Sequence, residues 1–199
     1  MRFKLKYVAP RLLAAAAILA LAGFGSAAVA QAPDQAMLQA QWPRLRTAAW
    51  IAQGAGQPQH VLYVFFDPNC GYCHRLWLQI QAADYLHDTQ IRYILVGIIS
   101  ETSPAKAAAI LEAPNPLQAL HMNESHWGTA GKGGGIRPVS RLDFSMLMRL
   151  RQHERLTLAF GVAGTPGLIW KDRQGRVHVL QGAPPADELA RIVASATAG

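Results

Sequence analysis

The segment that most constrains the fold is an unbroken apolar run that ends just before two cysteines. Residues 61–66 have the sequence VLYVFF, and after D-P-N come Cys70 and Cys73, the only cysteines of the chain. A continuous run of β-branched, aromatic and aliphatic residues is typical of a central strand buried on both faces. After Cys70 the apolar residues, including Leu76 and Ile80, recur at helical intervals. The sequence therefore predicts a strand that turns directly into a helix, with the dithiol at the turn.

The rest of the chain alternates between strand and helix patterns, with no internal repeat. Apolar residues at helical spacing precede the first strand, and a long helical stretch separates the second strand from the third. The predicted strands are 61–66, 91–99, 168–170 and 177–180, and the predicted helices are 34–53, 70–83, 103–113, 116–124, 143–160 and 186–196. This order predicts an α/β fold with a mixed four-stranded sheet, flanked by helices and carrying a helical insertion at about 103–160.

The first 30 residues have the pattern of a secretory signal. Four basic residues precede an apolar stretch, and Ala28-Val29-Ala30 matches an A-x-A cleavage site. An uncleaved anchor is the alternative, but no stop-transfer charge follows the apolar stretch. We therefore expect cleavage after Ala30, no stable membrane anchor and a periplasmic location. The predicted organisation is a signal at 1–30, a linker helix at 31–59 and one catalytic domain at 60–199.

The net charge gives no support for a nucleic-acid partner. Four of the 19 basic residues and none of the 12 acidic ones lie in residues 1–30, so removal of the signal lowers the formal net charge from +7 to +3. The basic character of the whole chain therefore comes largely from the signal. Export also matters for the thiols, because compartments outside the cytoplasm are oxidising.

The predicted position of Cys70 suits a reactive thiol. Unpaired main-chain N–H groups and the helix dipole stabilise negative charge at a helix N-terminus, so the pKa of Cys70 should be lowered. Cys73 lies one turn further into the helix and should be more buried. This arrangement predicts that Cys70 is the attacking thiol and Cys73 the resolving thiol of a redox pair.

Other uses of the two cysteines remain open from the pattern alone. A passive disulfide closing so short a loop contributes at most about 2 kcal/mol. Cys70 to His74 also satisfies the C-x-x-C-H pattern of c-type haem attachment. A closed zinc site needs four ligands, which the remaining sequence does not offer, so no metal and no cofactor are predicted. The glycine-rich segment 128–135 lacks the phosphate-loop pattern and is interpreted as flexible surface.

A second part of the site is suggested by a resemblance to the thioredoxin fold. The buried strand, the C-x-x-C at a helix start and the later Thr165-Pro166 dipeptide are similar to that family. The resemblance implies that Pro166 is cis and faces the dithiol. It also implies that the Thr165 backbone lies beside Cys70 and pairs with an extended substrate segment.

Three segments, YVFFDPNCGYCHRLW, LVGIISETSPAKAAAILEAPNP and GVAGTPGLIW, resemble the periplasmic disulfide isomerase group, DsbC and DsbG. The Gly71-Tyr72 dipeptide is of the DsbC type and, with His74, is expected to tune the redox potential. The resemblance implies a reductase or isomerase acting on exported proteins with cysteines, kept reduced by a membrane reductase of the DsbD type. A DsbA-like oxidase and a redox-linked chaperone or binding module are the alternatives, and a c-type cytochrome is a further one.

Two departures from these families affect the expectations. Only residues 31–60 separate the predicted signal from the first strand, so the dimerisation domain of the isomerase group is not expected and the protein should be a monomer. Thioredoxins often carry a buried acid six residues before the first cysteine, where this chain has Val64. Proton transfer to or from Cys73 must then use water or another group, for which His74 is a candidate.

Overall fold

The apolar run that precedes the cysteines forms the central strand of a mixed sheet. The computed structural model describes residues 34–129 and 131–198. The described residues contain five strands: β1 (Ile51–Gly54), β2 (His60–Phe66), β3 (Thr89–Leu95), β4 (Gly167–Lys171) and β5 (Val177–Gln181). Their order in the sheet is β1-β3-β2-β4-β5, with β2 and β3 parallel and the other neighbours antiparallel. The predicted α/β class is confirmed, with one more strand than the four predicted.

The additional strand is β1, at a place where the sequence predicted the end of a helix. The first helix ends at Thr47, and β1 pairs with β3 along its whole length. Ile51 and Gln53 are buried on one side, which is the two-residue periodicity of a strand. Gly54 has φ +101°, and a Cβ atom there would lie 2.2 Å from the Thr89 oxygen. The close pairing of this edge strand therefore overrides the helical pattern of its side chains.

Six α-helices surround the sheet in the part of the chain that the structure describes. They are α1 (Gln35–Thr47), α2 (Gly71–Gln81), α3 (Ser103–Leu111), α4 (Pro116–Ser125), α5 (Phe144–Ala159) and α6 (Ala186–Ser195), and a short 3-10 helix spans Tyr85–His87. Helices α3, α4 and α5 form the predicted insertion between β3 and β4. Helix α1, the predicted linker helix, packs on the domain, since Gln35 exchanges hydrogen bonds with the backbone of Val177 in β5.

Strand β2 contributes to two hydrophobic clusters, one on each face of the sheet. Leu62, Val64 and Phe66 belong to the cluster that contains the cysteines. Val61, Tyr63 and Phe65 belong to the cluster formed with α1 and the C-terminal part of α5. Alternate side chains of a strand point to opposite faces, so burial of both faces explains the unbroken apolar run.

The predicted signal at 1–30 lies outside the described residues. Across residues 34–129 and 131–198, no helix combines the length and apolar character needed to cross a membrane.

Candidate active site

Cys70 occupies the N-cap position of helix α2, directly after the turn that ends β2. Its backbone is extended, with φ −88° and ψ 114°, and its sulfur accepts a hydrogen bond from the main-chain N–H of Cys73 at 3.4 Å. An N-cap side chain normally satisfies one of the unpaired N–H groups of the first turn, and here a sulfur does so. Both cysteines are free thiols in this structure. The predicted placement of the dithiol at the strand-to-helix turn is the one observed.

The two thiols have opposite electrostatic environments. The hydrogen bond from the Cys73 side chain, helped by the main-chain N–H groups of Cys73 and Tyr72, lowers the pKa of Cys70 to about 6 although the residue is buried. Cys73 is fully buried, and burial raises its pKa well above the usual value. At neutral pH the first sulfur is therefore mainly a thiolate and the second remains a thiol.

The loop before β4 brings Thr165 and Pro166 to the dithiol. The Thr165–Pro166 peptide bond is cis, as the resemblance implies, and the Cys70 sulfur lies 3.2 Å from the Thr165 main-chain oxygen. Gly167 follows and pairs with Phe65 of β2, which fixes the loop relative to Cys70. The structure thus brings together the two distant segments that the sequence analysis assigned to one site.

The residues between the cysteines face solvent. Gly71 is exposed, and Tyr72 exposes 58% of its surface. The Arg75 guanidinium lies over the Tyr72 ring, 5.0 Å from its centroid. This exposed aromatic ring is next to the reactive sulfur, at a surface that an incoming polypeptide can reach.

His74 packs into the helical insertion. Its ring stacks on Trp127 with centroids 4.5 Å apart, and Nδ1 lies 3.0 Å from Oε2 of Glu124. Partial burial lowers the pKa of His74. The histidine is thus held by the insertion rather than lying free on a helix surface, and it connects the dithiol helix to a buried carboxyl group.

The family of the chain follows from comparison with known proteins. The sequence profile of the family described as thioredoxin-like domain matches residues 45–197. The chain belongs to the thioredoxin-like domain family.

Relatives of this thioredoxin-like chain include thiol:disulfide interchange proteins. It is 37% identical over 152 residues to DsbG of Pseudomonas aeruginosa and 27% identical over 148 residues to DsbG of Escherichia coli. The aligned regions cover 76% and 74% of this chain but 58% of each relative, so the match spans little more than half of their length. Further relatives are named DsbC. The resemblance to the DsbC and DsbG group is thereby confirmed.

The solved structures agree on the fold. The catalytic domain of Proteus mirabilis ScsC superposes with a TM-score of 0.64 at 22% identity, covering 81% of this chain and 97% of that domain.

A buried carboxylate that the sequence analysis missed organises the backbone around the thioredoxin-like dithiol. Asp67 is fully buried, and its two oxygens accept hydrogen bonds from the N–H groups of Asn69, Ile98 and Ile99 and from the Ser103 hydroxyl, at 2.7–3.0 Å. The Asn69 bond closes the turn before Cys70, and the other three join that turn to the loop after β3 and to the start of α3. The sequence signal was present, because an acid directly after a buried strand and before a proline is typical of a turn.

Two further residues of the insertion were also missed. Lys106 of α3 is buried, and its ammonium group donates to Asn69 Oδ1 at 2.9 Å and to the Gly134 oxygen at 2.5 Å. Glu124 of α4 is only 1% exposed, and burial raises its pKa to about 8. Helical spacing alone could not have identified them, because their importance depends on which elements pack against the insertion.

The end of the glycine-rich segment is packed against the site, so its interpretation as surface is wrong for Gly133 and Gly134, whereas Gly128, Thr129, Gly131 and Lys132 are exposed. Gly133 and Gly134 are buried, and Cβ atoms there would lie 2.3 Å from Asn69 Oδ1 and 2.1 Å from the Asn123 amide. The Gly134 N–H donates to the Pro68 oxygen, which lies in the turn before Cys70. Glycines are needed here because the backbone passes too close to its neighbours for any side chain.

The described residues were also compared with the ligand sets of metal sites. Within 34–129 and 131–198, no three side chains of the types His, Cys, Asp or Glu are grouped so that they could hold a metal ion.

Proposed function

We propose that this protein is a thiol:disulfide oxidoreductase that reduces or isomerises disulfide bonds in exported proteins. The observation that carries the proposal is the asymmetry of the dithiol: the pKa of Cys70 is lowered to about 6, whereas that of Cys73 is raised well above its usual value. A thiolate is the form of cysteine that attacks disulfides, and a nearby protonated thiol can complete the exchange. The names of the relatives support the same chemistry.

The proposed reaction has two steps. The Cys70 thiolate attacks one sulfur of a client disulfide, forms a mixed disulfide and releases a client thiolate. In net reduction, Cys73 then loses its proton and attacks the Cys70 sulfur, which releases the second client thiol. In isomerisation, a different client cysteine attacks the client sulfur of the mixed disulfide, which forms a new client disulfide and releases Cys70 as a thiolate.

Thr165 and Pro166 are proposed to bind the client. The Thr165 oxygen lies beside the Cys70 sulfur, and an extended polypeptide could pair with this backbone as an added strand. The exposed Tyr72 ring, next to Cys70, offers an apolar contact to the client. The proposed tuning role of Gly71, Tyr72 and His74 concerns the stability of the Cys70 thiolate, since reduction potential follows the relative stability of the two redox forms.

The proposed setting is the periplasm, and the proposed electron donor is a membrane reductase of the DsbD type. Net reduction or isomerisation requires that Cys70 and Cys73 return to thiols after each oxidation, so a donor must act in an oxidising compartment. The monomeric state stays a prediction, which light scattering of the mature protein tests.

The test uses trapping and turnover. In cells treated with acid and then alkylated, Cys70 and Cys73 should be recovered mainly as thiols. The purified reduced protein should restore activity to a client with scrambled disulfides, Cys70→Ser should not, and Cys73→Ala should accumulate mixed disulfides through Cys70. Recovery of both cysteines in oxidised form, with net oxidation of a reduced client as the sole activity, would favour a DsbA-like oxidase.

The same variants separate catalysis from the remaining alternatives. If Cys70→Ser protects an unfolded client as well as the wild type does, a binding or chaperone role is favoured. A Soret band in the absorption spectrum of the purified protein would favour a c-type cytochrome instead.

A further inference from the structure

The reduced site carries fewer protons than the reaction needs. This argument rests on the proposed function. Reduction of a client disulfide to two thiols consumes two electrons and two protons. The dithiol supplies both electrons, but with Cys70 already a thiolate at neutral pH, only the Cys73 thiol brings a proton. A second proton must come from solvent or from a group held within the site.

Glu124 is built into the site as an acid rather than as a surface charge. Its side chain is inaccessible to solvent, and its two oxygens have different partners. Oε1 accepts a hydrogen bond from the Asn123 amide at 2.8 Å, and the same amide donates at 2.9 Å to the oxygen of Pro68, which lies in the turn before Cys70. Oε2 lies 3.0 Å from Nδ1 of His74, on the dithiol helix itself.

The hydrogen-bond partners of Glu124 suit either protonation state. A neutral carboxyl can donate from Oε2 to an unprotonated Nδ1 of His74, and an ionised carboxylate can accept from a protonated Nδ1. Oε1 is an acceptor in both states. Gain or loss of a proton therefore leaves no buried polar atom of the pair without a partner, which makes the change compatible with a fixed packing.

Several charged or titratable groups face Glu124. Burial is the main reason that its pKa is raised, and a Cys70 thiolate and Asp67 raise it further, whereas Lys106 opposes them. Cys70 lies at the start of α2 and His74 lies within that helix. The other groups are Asp67 in the turn after β2, Tyr93 on β3 and Lys106 on α3. The sign of the coupling to Cys70 is decisive: a negative charge on that sulfur favours the protonated form of Glu124.

We propose that Glu124 is a proton-holding positioning residue of the dithiol, which binds a proton when Cys70 is a thiolate and gives it up when the Cys70–Cys73 disulfide forms. Val64 occupies the position at which thioredoxins often carry a buried acid. In this chain the buried carboxyl group near the dithiol is that of Glu124, on α4. His74 connects the buried carboxyl to the surface, since its side chain retains 19% exposure whereas that of Glu124 has none.

The stoichiometry then balances. The reduced site contains the Cys70 thiolate, the Cys73 thiol and the Glu124 carboxylic acid. Reaction with a client disulfide forms the Cys70–Cys73 bond, breaks the client S–S bond and moves two electrons to the client. The two client thiols take one proton from Cys73 and one, by way of His74 and solvent, from Glu124. The oxidised site has no thiolate and carries an ionised Glu124, so the net charge of the site is unchanged.

The test counts protons at equilibrium with glutathione. The quantity measured is the equilibrium constant for reduction of the protein disulfide by two glutathione molecules. It is determined from pH 6.5 to 7.5 for the wild type, for Glu124→Gln and for the control Glu112→Gln. Glutathione supplies two protons for each pair of electrons. A reduced site that binds two protons gives a constant nearly independent of pH, whereas a site that binds one gives a constant that rises about tenfold per pH unit.

For the wild type and for Glu112→Gln we expect an equilibrium constant that is nearly independent of pH. Glu112 is a suitable control because it is exposed and directly follows α3. We expect the tenfold rise for Glu124→Gln. Equal slopes in the wild type and Glu124→Gln, or a slope changed as much by Glu112→Gln, would overturn the proposal while leaving dithiol exchange intact. A wild-type protein that forms no Cys70–Cys73 disulfide with glutathione would instead overturn the proposed function, and this inference with it.

A second measurement needs no variant. Infrared difference spectra of reduced minus oxidised wild-type protein at pH 7, with and without ¹³C-labelled glutamate, should show a protonated glutamate carboxyl band that appears on reduction. Absence of a label-sensitive carboxyl band would overturn the proposal even if Glu124→Gln failed to fold.

Discussion

The sulfur of Cys70 lies 3.2 Å from the main-chain oxygen of Thr165, a residue 95 positions further along the chain. The contact depends on the antiparallel pairing of β2 with β4, because Cys70 follows the end of β2 and Thr165 precedes the start of β4. The end of β2 and the start of β4 therefore lie side by side at the same end of the sheet. The reactive sulfur and the backbone proposed to bind a client are held together by the sheet and not by a flexible loop.

The first prediction concerns the ionisation of Cys70. Thiolate absorbance of the reduced wild type should rise with a midpoint near pH 6, and Cys70→Ser should lack this transition. Cys73→Ala should raise the midpoint, because the hydrogen bond from the Cys73 side chain is the largest of the influences that lower the Cys70 pKa. A wild-type midpoint like that of a free cysteine would contradict both the lowered pKa of Cys70 and its explanation by the hydrogen bond from Cys73.

The second prediction tests the backbone function of Asp67. Asp67→Ala should lower the free energy of unfolding by about 3–5 kcal/mol, since it leaves three main-chain N–H donors and the buried Ser103 hydroxyl without the acceptor that they share. Urea unfolding of the reduced protein measures the change. The matched control is Asp187→Ala, because that carboxylate is 77% exposed and its ion pair with Arg191 should contribute less than about 1 kcal/mol. Equal losses in the two variants would refute the role of Asp67.

The sequence was informative where a local pattern and the tertiary environment agree. Strand β2 and helix α2 were predicted because an unbroken apolar run and a helical repeat each reflect burial directly. Strand β1 was missed because four residues are too few to establish an alternation, and Trp50 continues the helical pattern of α1. In the structure Trp50 instead packs against Arg92 of β3, whose guanidinium lies 4.5 Å from the ring centroid.

In the candidate site, too, some residues could be predicted from the sequence and others depend on tertiary contacts. Cys70, Cys73, Thr165 and Pro166 could be identified because their spacing and neighbours resemble a known arrangement. Glu124 could not, since an acid near the end of an amphipathic helix is most often exposed. Its burial results from contacts between α4, α2 and the glycine-rich segment, which come together only in the folded chain.

The third prediction concerns that glycine-rich segment. Gly134→Ala should destabilise the protein, because the new Cβ would lie 2.1 Å from the amide of Asn123, whose own hydrogen bonds hold it in place. A loss of about 1–3 kcal/mol is expected for such overpacking. Gly56→Ala is the control, since nothing lies within 4 Å of a Cβ at that position. Thermal unfolding of both variants at one pH compares them, and similar melting temperatures would show that the segment yields without cost.

The last prediction is a pH dependence of stability. The pKa of Glu124 is raised from 4.5 to about 8 in the folded protein, so the folded chain keeps a proton that the unfolded chain has already lost between these values. Because the unfolded state then binds fewer protons, this group makes the free energy of unfolding fall as the pH rises through that range. Its stabilising contribution is complete below pH 4.5 and is lost as the pH rises through 8.

Glu124→Gln cannot ionise, so the fall should be absent in the variant. Urea unfolding of the reduced proteins at pH 5 and pH 8 should show that Glu124→Gln gains stability relative to the wild type as the pH increases. The Cys70 thiol changes the free energy of unfolding of the wild type and of the variant in the same direction, so its contribution largely cancels in the comparison. Glu112→Gln, at an exposed position, should show no such relative gain. A difference between Glu124→Gln and the wild type that stays constant from pH 5 to pH 8 would mean that Glu124 ionises as a solvent-exposed acid does, and a carboxyl of that kind could not hold a proton for the dithiol at neutral pH.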